Sequence, residues 1–296
     1  MKTFRQITLR VSDYSQVPLW RKARSMDLAC VGYGMVVVLM VVGSYFLGAS
    51  GRLPFDPQAI DMDLLNAPPY TEGHLLGTDF LGRDIFSRLI LGIQAYFLPG
   101  LLAIFIALAL GGASGLVSGY RGGRWDRAVT YAANLVDSFP RLVLILLMVA
   151  AFKPDIYLIM VVVGLTHAPT VASMVKSKVI FLKQQNFIEA AVCLGLNTRT
   201  IIVKHILWHN CRALLIIQAT LGMAEAILIE TSLSYLGFGV QEPVPSWGNM
   251  VQSGANYFLQ GEFWPSTAPA LAILFTILGF HLLGDGLNNI LERKQG

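Results

Sequence analysis

The sequence predicts an all-α integral membrane protein with six transmembrane helices, and three observations carry that prediction. Hydrophobic residues make up 54% of the 296-residue chain and charged residues only 14%, against about 25% charged in an ordinary soluble domain. Mean hydropathy is +0.58. Four runs, Leu28–Gly51, Leu89–Tyr120, Ile156–Val175 and Phe263–Gly284, contain no Asp, Glu, Lys or Arg, and each reaches the roughly 20 apolar residues that a helix needs to cross a bilayer. The net charge of +4 is small, so its placement matters more than its sum. Cys30, Cys193 and Cys211 are too few and too scattered for a disulfide framework or a zinc site.

Taken in order, residues 1–27 form a basic tail and 28–51 the first helix. The latter begins too late and runs too long for a cleaved signal peptide, so it is expected to stay as an anchor. Residues 52–90 form an external segment. The Leu89–Tyr120 run exceeds one span, so part of it must tilt or lie outside. Ala128–Phe152 is apolar but interrupted by Asp137 and Arg141, and Ala213–Val240 by Glu225 and Glu230. With these two, the region 91–290 holds five further helices, a loop at 176–210 and an outer shelf at 241–262; 291–296 is a second tail. Basic residues cluster before the first span (Lys2, Arg5, Arg10, Arg21, Lys22, Arg24), after the second (Arg121, Arg124, Arg127), after the fourth (Lys176, Lys178, Lys183, Arg199, Lys204, Arg212) and after the sixth (Arg293, Lys294). All fall on one side of a six-span path, with only a short turn near Lys153 and Asp155 on the other side between spans three and four. That side is expected to be cytoplasmic, with both termini there.

The segment Asn186–Leu207 is short, charged and flanked by apolar runs. Ile188, Ala191, Val192 and Gly195 recur at helical spacing, Gly195 and Asn197 tolerate the left-handed backbone that ends a helix, and a second helical run starts near Thr198. Two short helices at an angle would offer a knob to another protein; the plainer alternative is a surface helix at the membrane interface. Glu189-Ala190-Ala191 followed by Gly195 resembles the EAA motif of ABC-importer permeases, whose coupling helix docks in a cleft of a cytoplasmic ATPase. The alanines would give a low-relief face, the glutamate a polar anchor and the glycine the turn. Where that family continues Ile-Leu-Pro-Asn, this chain reads Ile206-Leu207-Trp208-His209-Asn210, without the proline. Where the family carries arginine near the inner end of the fourth span, Ser173 and Lys176 stand here.

Two more motifs narrow the resemblance. Leu76-Gly77-Thr78-Asp79, Leu81-Gly82-Arg83-Asp84 and Ser87-Arg88 resemble the LGTDxxGRDxxSR signature of the second permease of peptide and nickel importers. Thr78 and Asp79 could cap a helix start and Gly82 make a close turn. A shape-fixing knot of Asp and Arg is favoured over substrate contact. Ser234-Tyr235-Leu236-Gly237-Phe238-Gly239, followed by Pro243, Pro245, Trp247 and Gly248, resembles the family's SFLGLGxxxPxPxWG run at the outer end of the fifth span. Trp247, Tyr257, Phe258, Phe263 and Trp264 suit an interfacial aromatic belt.

Inside the spans, Gly111, Gly115 and Gly119 make one smooth face for close helix packing. Asp137, His167, Glu225, Glu230, His281 and Asp285 are costly against lipid and are expected to face the bundle interior or a water-filled path. Asp137, Glu225 and Glu230 are the candidates for a translocation path. Glu225 and Glu230 fall on different faces, so one is free to line a path while the other pairs internally. Asp285, in Gly284-Asp285-Gly286, reads as a terminal cap or hinge. The chain has no Gly-Lys dipeptide and so no P-loop, and no HExxH, CxxC or GxSxG. Neither catalysis nor a bound metal or cofactor is expected of it.

The resemblance implies the type I ABC-importer permease fold in a bacterial inner membrane. It also implies a homologous second permease, two ATPase subunits that bind ATP and Mg, and a periplasmic binding protein. Membrane lipid surrounds the chain, and no nucleic-acid partner is expected. Peptides are the favoured cargo and a nickel chelate the alternative. An ion-gradient transporter would show repeated halves or broken helices with midplane charges, and it leaves the Glu189 loop unexplained. A membrane scaffold that transports nothing is the remaining alternative.

Overall fold

The computed structural model describes residues 19–152 and 155–292. Among them Lys2, Arg5, Arg10, Lys153, Arg293 and Lys294 do not fall, and side chains are described from residue 26 to 291. Every regular element among the described residues is a helix, with two isolated bridges, Thr71–His74 and Thr78–Asp84, in the loop after the first helix and no strand.

Helix α1 (Leu19–Ala49) is followed by a long loop and then α2 (Ile85–Gly92), a tightened turn at Ile93–Ala95, and α3 (Phe97–Arg121). The second span thus starts four residues before Leu89. Asp84 caps it, accepting from the Ser87 N–H at 2.7 Å, which corrects the expectation that Thr78 or Asp79 is the cap. The interruption near Tyr96 has a local cause: Pro99 has no N–H to return to Ala95, so the helix loosens one turn upstream.

The expected single third helix is instead a bent pair, α4 (Gly123–Asp137) and α5 (Arg141–Ala151), meeting at 76°. Phe139 precedes Pro140 and is pushed out of the helical region by the proline ring. Five stretches are long and apolar enough to cross a membrane, six if this pair counts as one span. Asp137 is at the break and exposed rather than packed in the interior.

Helix α6 (Ile156–Lys183) is capped by Asp155, which accepts from Tyr157 and Leu158 N–H groups at 2.7 and 3.2 Å. It runs eight residues beyond Val175, so the 176–210 segment begins as helix and not as loop. Helices α7 (Asn186–Cys193) and α8 (Thr198–Thr200) follow, then a π-helical stretch Ile201–Cys211 that runs without a break into α9 (Arg212–Tyr235). The second of the two expected short helices is therefore the root of the fifth span. Helix α10 (Trp247–Phe258) lies in the shelf, and α11 (Trp264–Glu292) is the last span. Asp285 is inside α11 and exposed, so it neither caps nor hinges that helix. Its neighbours do the packing: a Cβ on Gly284 would lie 2.8 Å from Thr220 Oγ1, and one on Gly286 2.8 Å from Val31 Cγ2.

Close approach organises the bundle. Cβ atoms on Gly111, Gly115 and Gly119 would fall 2.5, 2.5 and 2.9 Å from the carbonyl oxygens of Ala168, Ala172 and Lys176. Gly164 returns the favour, its Cβ position being 2.6 Å from Ala103 O. The glycine spacing predicts close packing on a neighbouring helix without saying which; that helix is α6, and the seam extends a further two turns to Gly164 and Ala103. Helix α1 rests on α11 in the same way, Gly34 against Leu283 and Gly279 against Val37. Trp247 is buried, donating from Nε1 to Leu89 O at 2.9 Å and packing edge-on to Tyr96. It pins α10 to α2 and is covered by protein, unlike Phe258 and Phe263, which are exposed.

Candidate functional site

Three clusters bring the predicted residues together. The first is the knob at one end of the bundle. Helix α7 packs Ile188 and Ala191 onto a core that includes Val179, Leu182, Ile201 and Ile206. Its other face is open: Phe187, Glu189, Ala190 and Val192 are exposed, and Leu194 is 80% exposed. The two alanines therefore do not share a face, since successive helical residues differ by about 100°; Ala191 seats the helix and Ala190 looks out beside Glu189. Val192, expected on the inner face, is outside. The helix ends as the glycine predicts. Gly195 has φ of +74°, its N–H donates to Val192 O at 2.9 Å, and the Leu196 N–H donates to Ala191 O at 3.1 Å, the paired bonds of a Schellman turn. Asn197 does something different from its expected role: its side chain accepts from Arg199 N–H at 3.1 Å and so starts the next helix. Below it, the π-helical stretch stands where the proline is missing. Asn210 donates to His205 O at 2.6 Å, and His209 contacts Lys204 O, both five residues back.

The second cluster, at the opposite end, is the Asp–Arg knot. Thr78 is fully buried; it donates to Leu64 O and accepts from the Ala67 N–H. Asp79 accepts from Leu81 and Arg83 N–H groups and takes Arg83 Nε at 2.8 Å. Asp84 also holds His74 Nδ1 at 2.9 Å. Gly77 and Gly82 both have positive φ, and their Cβ positions would be 2.3 Å from Ala67 O and 1.8 Å from Asp61 O. Arg83 and Arg88 bridge this loop, through Asp79 and the Pro57 carbonyl, to a residue that hydropathy and motif do not single out: Glu242 of the shelf accepts from Arg83 at 2.8 Å and from Arg88 at 3.1 Å. The arrangement satisfies most of its donors and acceptors internally, as a shape-fixing knot does, while Arg88 Nε and Asn66 Oδ1 are buried without a hydrogen bond. Its available signal was the lone acid of Gln241-Glu242-Pro243 opposite two arginines. The Ser234 motif supports the shelf: Ser234 Oγ accepts from Val240 N–H at 3.0 Å and donates to Glu230 at 2.7 Å.

The third cluster is inside the bundle. Arg141, at the start of α5, pairs with Glu225 of α9 and donates to Thr170 Oγ1 of α6 at 3.1 Å. His167 Nδ1 is 2.6 Å from Glu225 Oε2. Glu230 is fully buried and bonded to Ser234, so the two glutamates do face apart. Asp137 joins neither. Arg141 was read only as an interruption of an apolar run; its opposite sign to Glu225, at matching depth in another span, was the signal that it had a partner. Lys176, one of the two residues in place of the family arginine, has a partner too: Asp126 of α4 at 2.5 Å.

Comparison with known proteins follows from this geometry. A family model described as "Binding-protein-dependent transport system inner membrane component" matches residues 111–296. Over 262 residues, 88% of this chain and 86% of the relative, the chain is 35% identical to the probable D,D-dipeptide transport system permease protein of Escherichia coli (strain K12). It is 34% identical over 290 residues, covering 96% and 92%, to the dipeptide transport system permease protein of Alkalihalophilus pseudofirmus. It is 35% identical over 277 residues, covering 93% and 89%, to the glutathione transport system permease protein of Escherichia coli O6:K15:H31.

Proposed function

This chain belongs to the family of binding-protein-dependent transport system inner membrane components, and from that premise we propose that it is one of two permease subunits of an ATP-driven peptide importer. Peptides are the cargo in the names of the three relatives, and among the described residues no cluster of metal-ligating side chains favours a nickel chelate. The partners are a second, homologous permease, two ATPase subunits that bind ATP and Mg, and a soluble binding protein on the outer face. The chain itself binds neither nucleotide nor metal.

The observation that carries this reading is the α7 knob. A helix of eight residues, Asn186–Cys193, is seated through Ile188 and Ala191 and ended by Gly195, and it presents Phe187, Glu189, Ala190, Val192 and Leu194 outward. Exposed apolar side chains around one carboxylate suit a cleft on a partner surface better than they suit water. The segment continues through the π-helical stretch into α9, so a push on the knob is delivered along the span that carries Glu225 and Glu230. ATP binding would close the ATPase dimer, the knob would follow, and the spans would move between two conformations with access to opposite sides. In this reading Gly77, Thr78, Asp79, Gly82, Arg83, Asp84 and Arg88 shape the outer loop.

The test is purification in mild detergent from the native host, with partners identified by mass spectrometry and ATP-dependent dipeptide uptake measured after reconstitution. A second permease and P-loop ATPases are expected, with uptake that requires ATP. Recovery of the chain without either partner across several detergents would overturn the reading.

A further inference from the structure

A charge in the middle of a span is expensive against acyl chains and is kept facing protein or water. Thr170 is about 20 Å from either end of α6 at 1.5 Å per residue, so the Arg141–Glu225–Thr170 cluster is at mid-membrane depth. Yet the Arg141 and Glu225 side chains are still 34% and 27% exposed. Their open side must look onto water or a partner subunit.

From that cluster a polar stripe descends toward the α7 end. Ser173 and Ser177 follow Thr170 on α6 at helical spacing, and both are exposed. Gln218 of α9 is buried behind them and donates to Met174 Sδ at 2.8 Å, tying the two helices across the stripe. The stripe opens into a cavity of about 560 Å³ between α6, α9 and the last turns of α11. There the Ser173 and Ser177 hydroxyls share the wall with the Asn210 and Asn288 carboxamides and with Lys178, whose ammonium is 5.6 Å from the Phe181 ring centroid, over a floor that includes Leu214 and Ile217.

We infer that this groove is the inner half of the path for short peptides and that the Arg141–Glu225 pair closes it at mid-membrane. The inference rests on the permease reading above. Ser177 Oγ donates to Ser173 O at 2.9 Å and Asn210 to His205 O at 2.6 Å, so both keep oxygen lone pairs for the N–H groups of any peptide, Lys178 suits its carboxylate, and the apolar floor accepts side chains without selecting among them. The volume is within the roughly 300–1,000 Å³ of small-molecule sites. Opening the pair strands no charge when a peptide is present, because its carboxylate replaces Glu225 on Arg141 and its ammonium replaces Arg141 on Glu225. Thr170 and His167 hold the two halves in place while they change partners.

The experiment uses the complete importer in proteoliposomes with its binding protein and radiolabelled dialanine. Ser177→Trp fills the groove from an exposed position. Dialanine taken up per ATP hydrolysed is expected to fall at least tenfold, with partner subunits recovered in wild-type proportion; a wild-type ratio would overturn the inference. If that variant fails to assemble, Ser177→Cys on a Cys30→Ala, Cys193→Ala background decides. Modification by a water-soluble thiol reagent, slowed by transported dialanine, supports the groove. No modification, or modification indifferent to the peptide, overturns it. A wild-type complex that hydrolyses ATP and imports nothing would overturn the permease reading and the groove with it. That outcome is distinct from a wild type that transports while Ser177→Trp transports equally.

Discussion

At the scale of single residues, Glu242 holds two buried guanidinium groups from far along the chain. Arg88 is 1% exposed and Arg83 4%, whereas Glu242 is 37% exposed. Without it, Asp79 alone faces two buried guanidinium groups, with Arg88 Nε 3.5 Å and Arg83 Nε 2.8 Å from the same carboxylate oxygen. Removing one partner of a fully buried pair costs about 3–5 kcal/mol, and an exposed pair is worth about 1 kcal/mol or less. Glu242 is between these limits, so Glu242→Ala is expected to lower the local opening free energy of the 52–84 loop by roughly 1–3 kcal/mol. Limited proteolysis reads it directly: cleavage within that loop should accelerate about tenfold for each 1.4 kcal/mol, while cleavage at α7 stays unchanged. Equal acceleration at both ends would mean that the bond holds the whole bundle and not the loop.

At the scale of elements, the two Schellman turns show how much a single left-handed glycine decides. Gly237 ends α9 as Gly195 ends α7: its N–H donates to Ser234 O and the next N–H, of Phe238, donates to Leu233 O. At Gly195 a Cβ would meet nothing within 4 Å, so substitution there acts through the backbone and not through packing. Asn adopts a left-handed conformation with little penalty and a β-branched residue does not. Gly195→Asn is therefore expected to keep peptide uptake within about twofold of wild type. Gly195→Val is expected to lower uptake at least tenfold while the chain still inserts and its spans stay folded. Uptake and ATP hydrolysis by the reconstituted importer distinguish them; equal uptake by Val and Asn variants would detach coupling from the shape of this turn. The same comparison explains which elements were legible in the sequence. The α3–α6 seam and the α7 turn depend on residues within four positions of one another, and the residue types alone dictate them. The bend between α4 and α5 needed only Pro140, yet the apolar content of 128–152 hid it.

At the scale of the whole molecule, legibility falls with separation along the chain. Span number and the order of exposed and apolar segments follow from hydropathy, a local property. The Arg83–Glu242 bond joins residues 159 apart and the Arg141–Glu225 bond residues 84 apart, and nothing local tells an arginine which of several acids it will meet. Asp285 is a related case: a charge after an apolar run reads as a helix end, whereas α11 runs on past it to Glu292. Charge distribution does, however, fix an expectation for orientation. The α7 knob shares its end with Arg121, Arg124, Arg127, Lys183 and Arg199, while the opposite end, with the knot, has Asp56, Asp61, Asp63 and Glu72 exposed beside Arg52. Basic residues in short flanks are retained on the cytoplasmic side, and acids carry little weight. An enzyme reporter active only in the cytoplasm, fused after Lys183, should therefore be active, and the same reporter fused after Ser253 of α10 should be silent. The bend in α4–α5 makes this test sharper than span counting, because a re-entrant pair would return the chain to the side it left. The Lys183 reporter would then fall silent and the Ser253 reporter become active, and a five-span chain with its knob outside would take the place of the six-span one.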